Sequence, residues 1–242
     1  YPYPETTNSW NNPRKFAFVS PEEFEYSARI QSVRDRLKGN NKEIWITETG
    51  WATNAVPDSK VDPDDGKTHI ITGVTDAEQA AYIVQLYTWA LATKAVDRIF
   101  LYEFMNNCDD QTLTWSESAH GNNWGLIHNW NNSDGQPMAY SAKLGYVSVC
   151  AFSSKLSGAS YKTTLNLGSG VSAYQFTKSD GSFITVIWTD GSVKNATATG
   201  SGKITVSDMY GNATAYNGGT AALTLSEAPI YIESASSTLS IS

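Results

Sequence analysis

The sequence predicts an α/β region followed by an all-β region in a chain of 242 residues. Up to about residue 154, helical patterns alternate with short apolar strands, which is typical of parallel strands joined by helical crossovers. From about Lys155, Gly, Ser and Thr become frequent, helical periodicity ends, and turn signals separate short β-rich runs. We therefore predict two domains, residues 1–154 and residues 155–242, the second a small antiparallel β-sandwich.

Composition limits the classes of partner. The chain carries 24 acidic against 17 basic side chains, and a net acidic protein is poorly suited to bind nucleic acid or an anionic membrane. No run reaches the roughly 18 apolar residues of a membrane-spanning helix. The chain has 8 Trp and 13 Tyr, whose flat apolar faces and polar edges match those of pyranose rings. Most of these aromatics are expected to fill the core, yet their number favours a carbohydrate partner.

The first elements are a loop and a helix. Residues 1–13 are rich in Pro, Asn and Thr and lack periodicity, so a loop is predicted. Ser20 suits a helix N-cap, Pro21 the first turn and Glu23 the end of a capping box. The expected apolar stripe of this helix is Phe24, Ile30, Val33 and Leu37. Gly39 is expected to end it.

A strand predicted over Glu43–Glu48 leads directly into the most informative carboxylate. A charge at the end of a buried strand is costly unless it is paired or used. Trp51 follows three residues later, and an aromatic beside a carboxylate suits a sugar-binding cleft. Glu48 is therefore the candidate catalytic residue, and the alternative is a strand-end carboxylate paired with Lys or Arg.

The next elements repeat the alternation. After a polar loop over residues 54–74, a capping box at Thr75 opens a helix predicted over Asp76–Ala95. A second strand, Arg98–Phe104, a short apolar segment, Trp124–Ile127, and a helix over Pro137–Ser153 follow. The strands predicted in the β-rich region are Ser172–Thr177, Phe183–Thr189, Lys203–Asp208, Ala221–Leu225 and Pro229–Ser234.

Four motifs in order carry a family resemblance: ITETGW at residues 46–51, FLYEF at 100–104, NNWGLI at 122–127 and PMAYSA at 137–142. Together they resemble the C-terminal part of retaining glycoside hydrolases with a (β/α)8 barrel, in particular family 39-like enzymes. The β-rich region is similar to the accessory sandwich that follows such barrels. The resemblance thus implies a partial (β/α)8 barrel half followed by a β-sandwich.

The resemblance also implies roles for individual residues. Glu48, at the end of strand seven, would be the nucleophile. Tyr102 and Glu103, at the end of strand eight, and Trp51 would contact substrate, although Trp51 is equally suited to packing the barrel top. Tyr3, near the end of strand six, would belong to the substrate-binding residues, and either Tyr3 or Tyr1 would donate a hydrogen bond to the nucleophile.

Retaining hydrolysis needs a second carboxyl group about 5–5.5 Å from the first. In the family this acid/base lies on strand four, in a part of the barrel that we do not find in this sequence. Glu103 is better suited to sugar binding or a structural role than to acid/base chemistry. The leading hypothesis is a retaining glycoside hydrolase acting on β-linked oligo- or polysaccharide. The alternative is a non-catalytic carbohydrate-binding or structural half-barrel that lacks the acid/base.

Half a barrel would leave apolar strand edges and helix faces uncovered. We therefore expect the chain to self-associate or to pair with a missing N-terminal half-barrel. The resemblance further implies a secreted or extracytoplasmic location. An unrelated β-sandwich adhesin with a helical appendage is a third hypothesis, and it leaves ITETGW unexplained.

We expect no cofactor and no metal. The histidines, His69, His120 and His128, lack metal-ligand spacing. The acidic loop over residues 62–66 lacks the spacing and the final Glu of an EF-hand, and no phosphate-binding glycine loop is present. Cys108 and Cys150 either form one disulfide or remain two separate buried thiols.

Overall fold

A computed structural model describes residues 5–8, 15–38, 40, 42–53, 58–61, 68–106, 123–129, 140–235 and 239–242. The chain divides into two compact units. Unit 1 comprises Tyr1–Tyr82 and Ala95–Tyr146, and unit 2 comprises Ile83–Lys94 and Val147–Ser242. The domain boundary between residues 154 and 155 stays a prediction.

A parallel strand pair lies in unit 1. Strands β3 (Trp45–Thr49) and β6 (Arg98–Leu101) pair with Ile46 opposite Ile99, and the register is irregular between Ile46 and Thr49. Helix α2 (Asp76–Thr93) lies between them along the chain, because same-direction neighbours need a long crossover. The predicted strand–helix–strand order is confirmed, whereas the partial barrel stays a prediction.

Helix α1 (Tyr26–Arg36) begins later than predicted. The Ser20 hydroxyl does accept the Glu23 N–H at 3.1 Å, but Glu25 adopts a left-handed backbone conformation with φ 54 and separates this turn from the helix. The buried side chains of α1 are Tyr26 and Ile30. The expected stripe was therefore wrong at Val33, which is exposed, because the buried face continues through half-buried Arg34 instead.

Arg34 anchors α1 to the beginnings of both strands. Its guanidinium contacts the Asp97 carboxylate at 2.7 Å and donates to the carbonyls of Ala95 and Lys42. Asp97 Oδ2 also accepts the Ile44 N–H at 2.7 Å. The hydrogen bond from Ile44, followed by that from Arg34, lowers the pKa of Asp97. The carboxylate is therefore ionised at neutral pH and holds the residues before β3 and β6 together.

A four-stranded sheet includes three strands in segments that were predicted to be loops. Its order is β1-β2-β5-β4, with β2 and β5 parallel and the other pairs antiparallel. The strands are β1 (Glu5–Asn8), β2 (Lys15–Phe18), β4 (Asp58–Val61) and β5 (Thr68–Thr72). The loop predictions for residues 1–13 and 54–74 were wrong at β1, β4 and β5, because these strands have only four or five residues and lack the apolar–polar alternation that identifies a strand.

Helix α3 spans Leu144–Leu156. The predicted start at Pro137 lies outside the described residues, and residues 140–143 are not helical. Ser141 accepts the His128 N–H, the Lys143 N–H donates to the Leu126 carbonyl, and Ala142 forms a bridge with Ile127. These bonds use backbone groups that a longer helix would need for itself.

Unit 2 contains two antiparallel sheets, of orders β12-β11-β14-β9-β8-β7 and β13-β10-β15. The strands are β7 (Ser160–Thr164), β8 (Val171–Thr177), β9 (Phe183–Thr189), β10 (Lys194–Thr199), β11 (Ile204–Asp208), β12 (Ala213–Tyr216), β13 (Thr220–Leu225), β14 (Ile230–Ser234) and β15 (Ser240–Ile241). Their shared core includes Ile187, Ile204 and Ile232 from the larger sheet and Ala198 and Leu223 from the smaller. Side chains from two facing sheets in one core define a sandwich, as predicted.

The described residues also bear on membrane insertion and on the state of the cysteines. No helix in the described part is long and apolar enough to cross a membrane. Cys150 is exposed and carries a free thiol, while Cys108 lies outside the described residues. Cys150 therefore has the free thiol of the second alternative, but the expected burial of that thiol is wrong.

Candidate active site

Glu48 lies near the carboxyl end of β3 and is half-buried. The next residue, Thr49, is fully buried, and its hydroxyl accepts the Tyr26 hydroxyl at 3.1 Å. The Tyr102 N–H donates to the Thr49 carbonyl at 2.8 Å. A side chain on Gly50 would collide with the Tyr102 carbonyl. The backbone beside Glu48 is thus fixed by α1 on one side and by the end of β6 on the other.

Trp51 is enclosed, with 0% of its surface exposed. Its indole N–H donates to the Val19 carbonyl at 2.9 Å, and its ring lies 5.6 Å from that of Tyr82. A sugar could stack on this ring only after neighbouring groups had moved. Substrate contact by Trp51 therefore stays a prediction, and its geometry is that of a core residue.

Tyr102 and Glu103 directly follow β6, and the peptide bond between them is cis. The Tyr102 ring meets the Trp124 ring edge-on, with centroids 6.0 Å apart. The Glu103 N–H donates to the Trp124 carbonyl at 3.4 Å, and the Glu103 carbonyl accepts the Leu126 N–H at 3.2 Å. The segment 123–129 thereby holds the backbone at Glu103 in place.

The Glu103 carboxyl group has an unusual environment. Its Oε1 is enclosed and has no hydrogen-bond partner among the described residues. Burial raises the pKa of Glu103 to about 7, although a hydrogen bond from Tyr102 and the positive charge of Lys143 act in the opposite direction. Near neutral pH the group therefore exists in both forms, and it can donate or accept a hydrogen bond.

Lys143 precedes α3, and its side chain is fully buried. The ammonium group donates to the Thr53 hydroxyl at 2.6 Å and to the Asn123 carbonyl at 3.2 Å, and it lies 3.9 Å from the Asp76 carboxylate. A buried ammonium is tolerated only when hydrogen bonds and opposite charges compensate for lost hydration. Lys143 therefore connects the segment after β3 to the segment 123–129.

Buried amide groups complete this polar cluster. The Asn106 side chain accepts the Gly125 N–H at 2.8 Å and donates to the Asn123 side chain at 3.3 Å. The Asn129 side chain donates to the Asn106 carbonyl at 2.8 Å. A side chain on Gly125 would collide with the backbone of Asn106, so a glycine is required for this close approach.

Helix α2 contributes Gln79 from its first turns. The Gln79 amide donates to the carbonyls of Trp51 at 2.8 Å and Trp124 at 3.2 Å, and so joins the segments that follow β3 and β6. The helix start beside it is fixed as predicted. The Thr75 hydroxyl accepts the Glu78 N–H, and the Glu78 carboxylate accepts the Thr75 N–H.

Of the residues predicted to form the site, the structure brings the backbones of Glu48 and Glu103 to neighbouring strand ends. It places Tyr102 beside them and encloses Trp51. Tyr3 lies outside the described residues, so its hydrogen bond to Glu48 stays a prediction. Among the residues that the structure describes, no group of three or more His, Cys, Asp or Glu side chains could hold a metal. The acidic loop over residues 62–66 lies outside the described ranges.

Sequence reasoning missed Gln79, Asn106 and Lys143. A signal existed for Asn106, which follows a strand directly within a polar run. Gln79 and Lys143 stand out only as polar residues within otherwise apolar helical patterns. Their partners are distant in sequence, so the pattern alone does not indicate where they bind.

Comparison of the sequence with protein-family models and with curated proteins gives no match. The fold is similar to that of a family 39 glycoside hydrolase from the gut symbiont Bacteroides cellulosilyticus WH2. The TM-score is 0.60 and the identity 20%, over 86% of this chain and 37% of that chain.

Two other solved structures are less similar. They are a monomeric β-xylosidase from Caulobacter crescentus CB15 and the catalytic domain of the family 30 xylanase C from Talaromyces cellulolyticus. The first has a TM-score of 0.46 and 12% identity over 96% of this chain and 54% of that one. The second has a TM-score of 0.45 and 13% identity over 81% and 41%. The chain thus spans well under two thirds of each, and it shares the fold of part of a family 39 glycoside hydrolase, as its motifs predicted.

Proposed function

We propose that this chain carries the nucleophile-bearing portion of a retaining glycoside hydrolase that acts on β-linked oligo- or polysaccharide. The observation that carries the proposal is the position of Glu48 near the carboxyl end of a parallel strand, next to a second strand that ends at Leu101, two residues before Glu103. Catalytic groups of parallel α/β enzymes collect at such ends. The fold shared with a family 39 glycoside hydrolase supports the same assignment.

In the proposed reaction, the Glu48 carboxylate attacks the anomeric carbon and forms a glycosyl ester. The bond to the leaving oxygen breaks, and that oxygen takes a proton from a second carboxyl group. Water, activated by the same second group, then releases the sugar with its configuration retained. The acid/base is a further carboxyl group, within this sequence, in a part of the protein outside it, or on a partner.

Glu103 and Tyr102 are proposed to bind the sugar. The enclosed Oε1 of Glu103 has no hydrogen-bond partner within the described ranges, and a buried polar atom is stabilised when a ligand hydroxyl bonds to it. The adjacent Tyr102 is half-buried and supplies a second polar group. A ligand that displaces water here would gain both contacts.

A non-catalytic carbohydrate-binding role is the second candidate. It is supported by Glu103, whose enclosed Oε1 suits a sugar hydroxyl whether or not Glu48 reacts. Under this alternative Glu103 would still bind sugar, while Glu48 would perform no chemistry.

Chemical rescue separates the two candidates. Wild type is expected to hydrolyse an aryl β-glycoside, Glu48→Gly is expected to lose this activity, and azide is expected to restore it with an α-glycosyl azide as product. The matched control is Glu43→Gly, an exposed glutamate just before the same strand, which should retain activity. Sugar binding without turnover by wild type, measured calorimetrically, would favour the non-catalytic role.

A further inference from the structure

Lys143 is a buried charged residue whose partners come from segments that are distant in the sequence. Its ammonium group is fully buried, with the Thr53 hydroxyl at 2.6 Å and the Asn123 carbonyl at 3.2 Å as acceptors. The charge–charge contact with Asp76 is 3.9 Å long, and the Asp76 side chain is itself partly exposed. The Asn106 side-chain oxygen, at 3.5 Å, is a third acceptor. A neutral donor could satisfy such acceptors without the cost of burying a charge.

A backbone path links Lys143 to Glu103. The Lys143 N–H donates to the Leu126 carbonyl at 2.9 Å, and the Leu126 N–H donates to the Glu103 carbonyl at 3.2 Å. The ammonium group bonds the Asn123 carbonyl one residue before Trp124, whose own carbonyl accepts the Glu103 N–H. The side chain and the backbone of Lys143 thus both act on the short segment that holds Glu103.

We propose that Lys143 is a positioning residue for Glu103, and that its buried charge, together with these backbone bonds, holds the Glu103 carboxyl group ready to receive a sugar hydroxyl. The inference rests on the proposed function for the role of Glu103 in sugar binding. The effect of Lys143 on the Glu103 carboxyl group can be measured without any catalytic turnover. It goes beyond the family resemblance, which assigns nothing to Lys143.

The positive charge of Lys143 distinguishes a positioning role for this residue from a purely structural role in holding loops together. Burial raises the pKa of Glu103, and the hydrogen bond from Tyr102 and the positive charge of Lys143 reduce that rise. The charge of Lys143 therefore favours the ionised form of the carboxyl group. Ionisable groups that the structure places against this pair include the Tyr102 hydroxyl, which bonds Glu103, and Asp76, which faces Lys143. An ionised carboxylate accepts hydrogen bonds more strongly than the neutral acid.

The test is a titration of Glu103 in the intact chain labelled with carbon-13 at its glutamate carboxyl groups. Glu103→Gln identifies the Glu103 resonance by its loss. Lys143→Gln keeps hydrogen-bond donors and removes the charge, Lys143→Met removes both, and Lys143→Arg keeps the charge. We expect the Glu103 midpoint to move to higher pH in the Gln and Met variants and to stay close to wild type in the Arg variant.

A midpoint unchanged in Lys143→Gln, or moved equally by Gln and Arg, would overturn the proposal, since loop support alone predicts such results. If Lys143→Met does not fold, Lys143→Gln decides the question. The outcome is separable from that of the proposed function. Glycosyl transfer to Glu48 without any response of Glu103 refutes only the positioning role, and the expected titration without transfer refutes only the enzymatic role.

Discussion

At the scale of single residues, burial determines the protonation of the Glu103 carboxyl group. Glu103 has an enclosed oxygen without a partner among the described residues, and burial raises its pKa to about 7. Glu48 occupies the strand end that the motif ITETGW predicts. With its raised pKa, Glu103 can donate as well as accept a hydrogen bond near neutral pH.

The raised pKa of Glu103 predicts a pH-dependent contribution to stability. Its ordinary value is 4.5, so between that value and about 7 the folded chain binds more protons than the unfolded chain. Stability contributed by the neutral form is therefore lost as pH rises through this range. We expect the melting temperature to fall less between pH of about 5 and about 8 in Glu103→Gln than in wild type.

Thermal unfolding at both pH values measures this difference. The matched control is Glu23→Gln, which changes an exposed glutamate and should leave the wild-type pH dependence unchanged. Equal pH dependence in wild type and Glu103→Gln would show that the Glu103 carboxyl is not buried as described.

Trp45, in β3, and Trp51, just after it, are expected to contribute differently to stability. Trp51→Phe removes a fully buried indole and leaves the Val19 carbonyl without its donor, so we expect a loss of about 2 kcal/mol in the free energy of unfolding. Trp45→Phe, at a position 52% exposed, should cost far less. Urea unfolding measures both, and similar losses in the two variants would contradict the burial of Trp51.

Sequence reasoning located Glu48 but not its surroundings. Glu48 was found because a local pattern, an apolar strand ending in a carboxylate, identifies it. Lys143 was not found, because its partners Thr53, Asp76 and Asn123 come from three distant segments. Contacts of that kind are created by the fold and leave no periodic trace in the sequence.

At the scale of elements, the ends of β3 and β6 are joined by a close backbone approach. A side chain on Gly50 would meet the Tyr102 carbonyl, so Gly50→Ala must either separate the strands or displace residue 102. We expect a loss of about 3 kcal/mol or more in the free energy of unfolding, in the range of overpacked positions.

Gly218→Ala is the matched control, since an added carbon there meets nothing within 4 Å. Chemical denaturation of both variants provides the comparison. A Gly50→Ala variant as stable as Gly218→Ala would contradict the described packing of the strand ends.

Element boundaries were predictable where local chemistry sets them. The capping box at Thr75 and Glu78 marks the start of α2 correctly. The other two helices begin later than predicted. The turn at Glu25 delays α1, and backbone hydrogen bonds to residues 126–128 delay α3. Strands such as β10 (Lys194–Thr199), without an apolar alternation, were missed because only their neighbours make them strands.

At the scale of the whole molecule, unit 1 exposes aromatic side chains on its parallel pair. Phe100 is 47% exposed and lies 6.1 Å, ring to ring, from the half-exposed Trp45, and Phe104 after β6 is 64% exposed. Parallel sheets are normally covered on both faces. We therefore propose that this face takes part in association, as expected for a half-barrel.

Sedimentation velocity tests this expectation. Wild type should sediment as larger species as its concentration rises, and the double variant Trp45→Ser with Phe100→Ser should remain smaller. The control is Val193→Ser, a residue 69% exposed in unit 2, which should behave as wild type. A well-folded wild-type monomer at every concentration, without binding of a hydrophobic dye, would count against an uncovered face.

The central claim is that Glu48 is a glycosyl nucleophile. Incubation of the intact chain with activated fluoro-sugar β-glycosides, followed by digestion and mass spectrometry, tests it most directly, because fluorine slows release of the covalent intermediate more than its formation. The account predicts one added sugar on the peptide that contains Glu48, and none in Glu48→Gln. A sugar attached to another carboxylate, or a folded chain that hydrolyses β-glycosides while Glu48 stays unlabelled, would contradict it.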